Sequence, residues 1–358
     1  MILRECFPCD SGNTQYNAFN LDDIRYIYTK IGDDYSREIF ANRLMYSLVG
    51  DYEYIGRIVA NTQTGRKIEK MLNGLESICI YGAGKRGTLL IKMFPRLNWK
   101  GFIDKKGNGF CFGYPIYSLE DFEYRQEMTI LVSTAYEEAL IRKYLVEDRN
   151  VPKEKIIVLE EYIRNIYDDI YFEPRYIKNI NMKNKIFMDL GCYDGKDSIK
   201  AINYFYQDDI HVYALEPDDK NHQVCIDRFK MYGDKVQLIK KGIGCQKTMR
   251  HFQEGGAGAR FSETGEAVVE IDTIDNIIGT QDVGFIKMDI EGYEEDAIAG
   301  GIETIKRCSP ILAVSVYHKK SDIWRIPLKI LEINPFYQLY FGHYTFAWDD
   351  TVLYAIAK

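Results

Sequence analysis

The feature that most constrains the fold is an apolar run that ends in a glycine turn: Phe187-Met188-Asp189-Leu190-Gly191-Cys192-Tyr193-Asp194-Gly195, with helix-compatible sequence directly after it. A strand that stops at glycines and resumes as a helix opens a βαβ unit, which commits the chain to a parallel sheet with crossover helices. The next apolar run ends Tyr213-Ala214-Leu215-Glu216-Pro217, one such unit further on. The alternation then continues, with strands expected at 185–189, 211–216, 236–240, 284–289, 311–318, 336–343 and 351–357. The last two lie too close together for a helical crossover and should form an antiparallel hairpin. Between the third and fourth strands, residues 248–275 alternate in character around a GGAGAR centre, which predicts a β-hairpin insertion.

A second strand, glycine turn and helix stands earlier, at Ser77–Tyr81 followed by Gly82-Ala83-Gly84-Lys85-Arg86-Gly87. This is a complete G-x-G-x-x-G, and Asp104 closes the next strand about 20 residues on, the spacing of a dinucleotide fingerprint. Further strands are expected at 101–104, 128–133 and 155–159, giving a small parallel sheet. Before it, Ile24, Ile27, Ile31, Ile39, Phe40, Leu44, Tyr46 and Leu48 recur at helical spacing. A chain of 358 residues exceeds one ordinary core. The expected organisation is a helical segment over 1–75, a small Rossmann-like domain over 76–165, a linker over 166–184 and the larger α/β domain over 185–358.

Composition narrows the function classes. With 46% hydrophobic and 28% charged residues the chain is globular rather than disordered. A formal charge of −7 argues against a general nucleic-acid binder, which needs a basic face against phosphates, though it leaves room for local basic pockets. No apolar run is long enough to span a membrane, and no basic and apolar leader opens the chain, so a cytoplasmic protein is expected. The eight cysteines are scattered as reduced core residues would be. Cys6 and Cys9 have metal spacing but lack two further ligands nearby, so no metal is expected there.

The chemistry gathers at the carboxyl ends of the larger sheet. The glycines of the 187–195 turn let backbone approach a ligand closely, Asp189 is suited to an ammonium group, and Glu216 to both hydroxyls of a ribose. The cofactor set expected on this ground is Asp189, Gly191, Cys192, Tyr193, Asp194, Gly195, Glu216, Pro217 and Asp289, with Gly242 and Ile243 just past the third strand. Lys287 and Asp289 share one face of the fourth strand, and buried charges there demand partners. Asp289, Glu291, His318 and His343 should share the sheet's carboxyl rim. Either histidine suits a proton acceptor near neutral pH, with Asp289 or Glu291 orienting it or acting instead, which makes Lys287, Asp289, Glu291, His318 and His343 the catalytic candidates. Asp289, Glu291 and His318 could alternatively hold a divalent metal that clamps a diol, but no tight ligand motif demands it.

Residues from about 184 to 358 resemble the FkbM-type family of S-adenosylmethionine-dependent methyltransferases. The segments that carry the resemblance are FMDLGCYDGKDS, ALEPD, EIDTID, FIKMDIEGYEEDAIAG, LAVSVYHKKSDIW, YFGHYTF and the closing TVLYA. The resemblance implies an α/β class I methyltransferase fold, S-adenosylmethionine as cofactor, and methyl transfer to a hydroxyl, less readily an amine, of a carbohydrate or glycan-type acceptor. A surface polysaccharide or a flagellar glycan is the expected destination. Cys192 and Tyr193 depart from the small or polar residues expected inside the turn.

The earlier segment, through GFIDKKGNGFCFGYPIYSLEDF, resembles small Rossmann-like domains attached to sugar-modifying enzymes. That resemblance implies a nucleotide-linked sugar held by Gly82, Gly84, Lys85, Arg86, Gly87 and Asp104, or a binding role since lost. The rival reading is an NAD(P)-dependent oxidoreductase using that turn, against which no Tyr-x-x-x-Lys accompanies the first domain. A third is a scaffold with both sheets inactive, against which the charged fourth strand speaks.

Overall fold

The computed structural model describes residues 20–357 except 106, 135–136, 164–169, 179, 254–259, 262–264 and 266. The Cys6 and Cys9 pair and most of the GGAGAR centre therefore lie outside the described residues, as does part of the expected linker. Contacts divide the chain into two compact units. One comprises Ala41–Asp168 with His343–Asp349; the other takes the chain up to Phe40, then Asp169–Gly342 and Asp350–Lys358.

The first of these units holds six strands: β1 (Ser77–Tyr81), β2 (Trp99–Ile103), β3 (Gly109–Cys111), β4 (Tyr114–Tyr117), β5 (Met128–Val132) and β6 (Ile156–Val158). Their order is β3-β4-β2-β1-β5-β6, parallel except for the β3–β4 pair. Every residue of β1 and β5 is buried, as central parallel strands require. The β3–β4 hairpin is absent from the sequence expectation; its strands are short and only partly covered, so they lack a buried apolar run.

The other unit holds β7 (Ile186–Leu190), β8 (His211–Leu215), β9 (Val236–Ile239), β10 (Gly242–Ile243), β11 (Thr248–Gln253), β12 (Arg260–Phe261), β13 (Ala267–Asp272), β14 (Val283–Met288), β15 (Ile311–Ser315), β16 (Tyr337–His343) and β17 (Thr351–Ala357). The main sheet runs β16-β17-β15-β14-β7-β8-β9. It is parallel from β15 through β9, with β17 antiparallel to β15. This is the seven-stranded order, with its terminal hairpin, that the strand spacing predicts. The insertion forms a second small sheet, β10-β13-β11-β12. Phe172, Phe187 and Phe285 stack at 5.1–6.1 Å between ring centroids and fill one face of the main sheet.

The helical lead-in is present as Leu21–Lys30, Asp34–Val49, Tyr52–Asn61 and Gln63–Leu72. It is not a segment of its own, however. Up to Phe40 it belongs with the seven-stranded sheet: Ile31 bridges Leu339 on β16, the Gly32 N–H donates to the Leu339 carbonyl at 2.9 Å, and the Phe341 N–H donates to Ser36 Oγ at 2.9 Å. These bonds occupy the outer edge of β16, which would otherwise stand unpaired.

Candidate functional site

The main sheet reverses its order at β7, whose neighbours are β14 and β8, and in such sheets ligands settle beyond the strands' carboxyl ends at that point. A cavity of about 320 Å³ lies there. Its wall includes Gly191, Cys192, Tyr193, Asp194, Glu216, Pro217, Gly242, Ile243, Lys287, Asp289 and Glu291 from the expected set. Asp197, Leu215, Asn221, Lys241, Phe252, Ile290 and Tyr317 complete it, and none of these was singled out from sequence. Phe252 had a readable signal, as the one Phe in an otherwise largely polar strand, and it is the strand's one buried residue. Asp197 had a weaker one, as the acid in the first turn of the helix that follows the glycines.

The turn needs its glycines for a packing reason. Gly191 has φ +75°, and a Cβ there would stand 2.1 Å from the carbonyl oxygen of Asp289 on the adjoining β14 side. The Gly191 and Cys192 N–H groups donate to the Leu215 carbonyl at 3.1 and 3.0 Å, tying the turn to β8. Glu216 is locked from both sides, accepting the Tyr193 N–H on Oε2 and the Asp218 N–H on Oε1, each at 2.9 Å. Burial pushes its carboxyl up to about 7 against the pull of those two bonds. Asp194 pairs with Lys196 and Arg228 at 2.8 Å, which outweigh its burial and hold it below the usual range.

Asp189 and Lys287 are register partners on β7 and β14. The Lys287 ammonium lies 2.9 Å from Asp189 Oδ1 and donates to the Gly191 carbonyl at 2.7 Å. Ser198 Oγ donates to the other Asp189 oxygen at 2.7 Å. Asp189 is fully buried and is not part of the cavity wall, which corrects its expected direct contact with a ligand ammonium. Burial works against the Lys287 charge, but Asp189, Asp197 and Asp289 overcome it and hold the ammonium firmly protonated. Its role is therefore to clamp the glycine turn to β14 rather than to exchange a proton. Asp197 lies 3.8 Å from the same ammonium, and burial raises its carboxyl to about 6 despite that neighbour.

The two histidines part company. His318 sits between carboxylates: Nδ1 is 3.0 Å from Glu294, and Nε2 is 3.4 Å from Asp289 and 3.9 Å from Glu291. Burial disfavours its charge, yet Glu294, Asp289 and Glu291 push it up to about 10. An imidazolium held this tightly is not a base at neutral pH, which corrects that expectation. His343 groups with the other unit, is buried, and does not line the cavity. Burial and Arg43 depress it to about 3. The expectation of two histidines on one rim fails, since His318 approaches the cavity's Asp289 and Glu291 and His343 does not line the cavity. Asp289 accepts from the Tyr317 hydroxyl at 3.2 Å and stays below the usual carboxylate range, its burial outweighed by His318 and Lys287.

In the other unit the Gly82–Gly87 turn closes on itself. Asp104 accepts the Ala83 N–H at 2.8 Å, and a Cβ on Gly87 would stand 2.0 Å from the Gly82 carbonyl oxygen. Arg86 pairs with Glu160 at 2.6 Å. A smaller cavity of about 170 Å³ is lined by Lys85 and Arg86 but not by Gly82, Gly84, Gly87 or Asp104.

The sheet order and a cavity framed by a glycine turn and a strand-end acid define the class, a methyltransferase of the class I fold. Residues 189–346 match the family described as the methyltransferase FkbM domain, and the methyl donor is S-adenosylmethionine. Among solved structures, the chain is similar to the FkbM methyltransferase of Methylobacillus flagellatus KT, at 17% identity over 90% of this chain and 99% of that one, with a TM-score of 0.48. It is also similar to the S-adenosylhomocysteine-bound Podospora anserina methyltransferase PaMTH1, at 16% identity over 49% and 72%, with a TM-score of 0.28. A third is Aeropyrum pernix fibrillarin with S-adenosylmethionine, at 12% identity over 54% and 76%, with a TM-score of 0.33. No curated protein matches the chain. Among the described residues no helix is long and apolar enough to cross a membrane.

Proposed function

We propose that the chain methylates a hydroxyl, less readily an amine, of a carbohydrate or glycan-type acceptor bound for a surface polysaccharide or flagellar glycan. The observation that carries this reading is the pairing, in one cavity, of a cofactor cradle at Glu216 with an acid and tyrosine rim at Asp289, Glu291 and Tyr317. The cavity chemistry fits the cofactor. Glu216 offers carboxylate oxygens to a ribose diol, Leu215, Pro217, Ile243 and Phe252 offer apolar surface to a base, and Asp197 and Asp289 offer negative charge to an ammonium. When bound, S-adenosylmethionine supplies a methyl group activated by the positive charge on its sulfur.

Alignment is the main service such a site renders, because displacement at the methyl carbon needs the acceptor oxygen in line with the departing sulfur. Asp289, kept ionised by His318 and Lys287, fixes charge beside that line. Glu291 projects at the rim with its side chain 42% exposed and takes the acceptor's hydroxyl proton. Held by Glu216, Asp197 and Asp289, the donor would supply the methyl group and would keep the electron pair of the bond it gives up, while the acceptor's proton goes to Glu291. Carboxylates and tyrosines also suit a polyol, through paired acceptors and flat apolar faces. A cytoplasmic location belongs to the proposal.

Calorimetric titration with S-adenosylhomocysteine tests the reading. Saturable binding is expected, with loss in Glu216→Ala, followed by transfer of labelled methyl groups to oligosaccharides or nucleotide-sugars. Binding of NADH without S-adenosylhomocysteine would move the chemistry to the first unit and end this reading. UDP-sugars run in parallel ask whether the cavity beside Lys85 takes a nucleotide-linked sugar.

A further inference from the structure

We infer that Asp289, Glu294 and His318 form a divalent-cation site at the acceptor end of the methyl-transfer cavity. Three elements deliver these side chains to one place. Asp289 follows β14, His318 lies three residues past β15, and Glu294 opens the helix Glu294–Ala299. Between them Glu291 and Gly292, with φ of +56° and +93°, turn the chain back so that Glu294 faces the end of the strand it has just left. One ligand atom from each of Asp289, Glu294 and His318 lies within 4.8 Å of the others. Donors that share one ion at bonds of about 2.0–2.2 Å stand about 3–4 Å apart, so the three side chains would draw together by up to about 1 Å on binding it.

A second observation points to a cation. Glu294 is fully buried; its Oε1 accepts the Ile290 N–H at 2.9 Å, while its buried Oε2 has no hydrogen-bond partner. The His318 ring nitrogens, though 3.0 Å from Glu294 and 3.4 Å from Asp289, also make no aligned hydrogen bond. A bare carboxylate oxygen in the interior is costly, and close unaligned contacts do not offset the cost. A metal would satisfy these atoms together. Asp322, buried close by, adds a further carboxylate. A ligating imidazole is neutral, so the proton that Glu294, Asp289 and Glu291 otherwise hold on His318 leaves as the ion takes its place among the same carboxylates.

Mixed oxygen and nitrogen donors suit Mn²⁺ or Zn²⁺ better than Ca²⁺. Asp289 lines the cavity, so an ion on it would touch an acceptor hydroxyl and make its proton easier to remove to Glu291. That role rests on the methyl-transfer reading; the binding of the ion does not.

The test is calorimetric titration of the chelator-treated full chain with Mn²⁺, with free Mn²⁺ followed by electron paramagnetic resonance. One equivalent should bind, at least about tenfold more weakly in Glu294→Gln and His318→Ala, and unchanged in Glu303→Gln, an exposed acid elsewhere. S-adenosylhomocysteine titration of the same variants reports whether each is folded. Mn²⁺ uptake that is absent from a chain competent for S-adenosylhomocysteine, or that persists unaltered in Glu294→Gln and His318→Ala, overturns the inference and leaves methyl transfer standing. A chain that binds Mn²⁺ as expected but not S-adenosylhomocysteine upholds the metal site and refutes the cofactor reading instead.

Discussion

Glu216 shows how one residue's surroundings set a working range. Its type and its place at the end of a strand were legible in the sequence; the two N–H donors and the burial that raises its carboxyl to about 7 were not. A diol needs the ionised form, so a proton competes with the ligand below that value. S-adenosylhomocysteine affinity should therefore rise about tenfold from pH 6 to pH 8, tracking the ionised fraction, and the rise should flatten in Glu216→Gln. Calorimetry across that interval checks it, and a pH-independent affinity in the unaltered chain would refute it. Asp189 and Lys287 teach the converse. The cost of burying two charges on adjacent strands was readable; that they settle it with each other, leaving Asp197 and Asp289 to face the cavity, depended on the β7–β14 register.

At the scale of elements, the seven strands of the main sheet and strands β1, β2, β5 and β6 of the smaller one were legible. Buried strands must be apolar along most of their length, and crossover helices separate them by recognisable distances. The β3–β4 hairpin escaped because partly covered strands of three and four residues carry no such run. The glycine turn is where an element's sequence and its neighbour's backbone meet. Gly191→Ala combines a positive φ with a Cβ 2.1 Å from the Asp289 carbonyl, an atom that cannot swing aside as a side chain would. We expect a loss of stability of about 1–3 kcal/mol in urea denaturation, with weakened S-adenosylhomocysteine binding as β14 is pushed from the turn. Wild-type stability in that variant would show that the two backbones are not held together as described.

At the scale of the whole molecule, the division of the chain departs from the linear one expected. Residues up to Phe40 complete the methyltransferase sheet, and the loop His343–Asp349 leaves it for the other unit. A fragment of residues 185–358 lacks Ile31, Gly32 and Ser36, which occupy the edge of β16, and Phe172, which stacks on Phe187 and Phe285. Such a fragment should self-associate in sedimentation experiments and melt below the full chain; a monodisperse fragment with full-chain stability would contradict this account. By itself the sequence determined the α/β class, the strands and the glycine turns, because periodicity and backbone conformation are local properties. It also determined the methyltransferase family, through motifs that sit together along the chain. Only the tertiary structure decided which charges face the cavity, why His318 and His343 lie in such different surroundings, and which distant segment closes the sheet. Those outcomes depend on strand register and burial between residues far apart in sequence, and no local pattern encodes them.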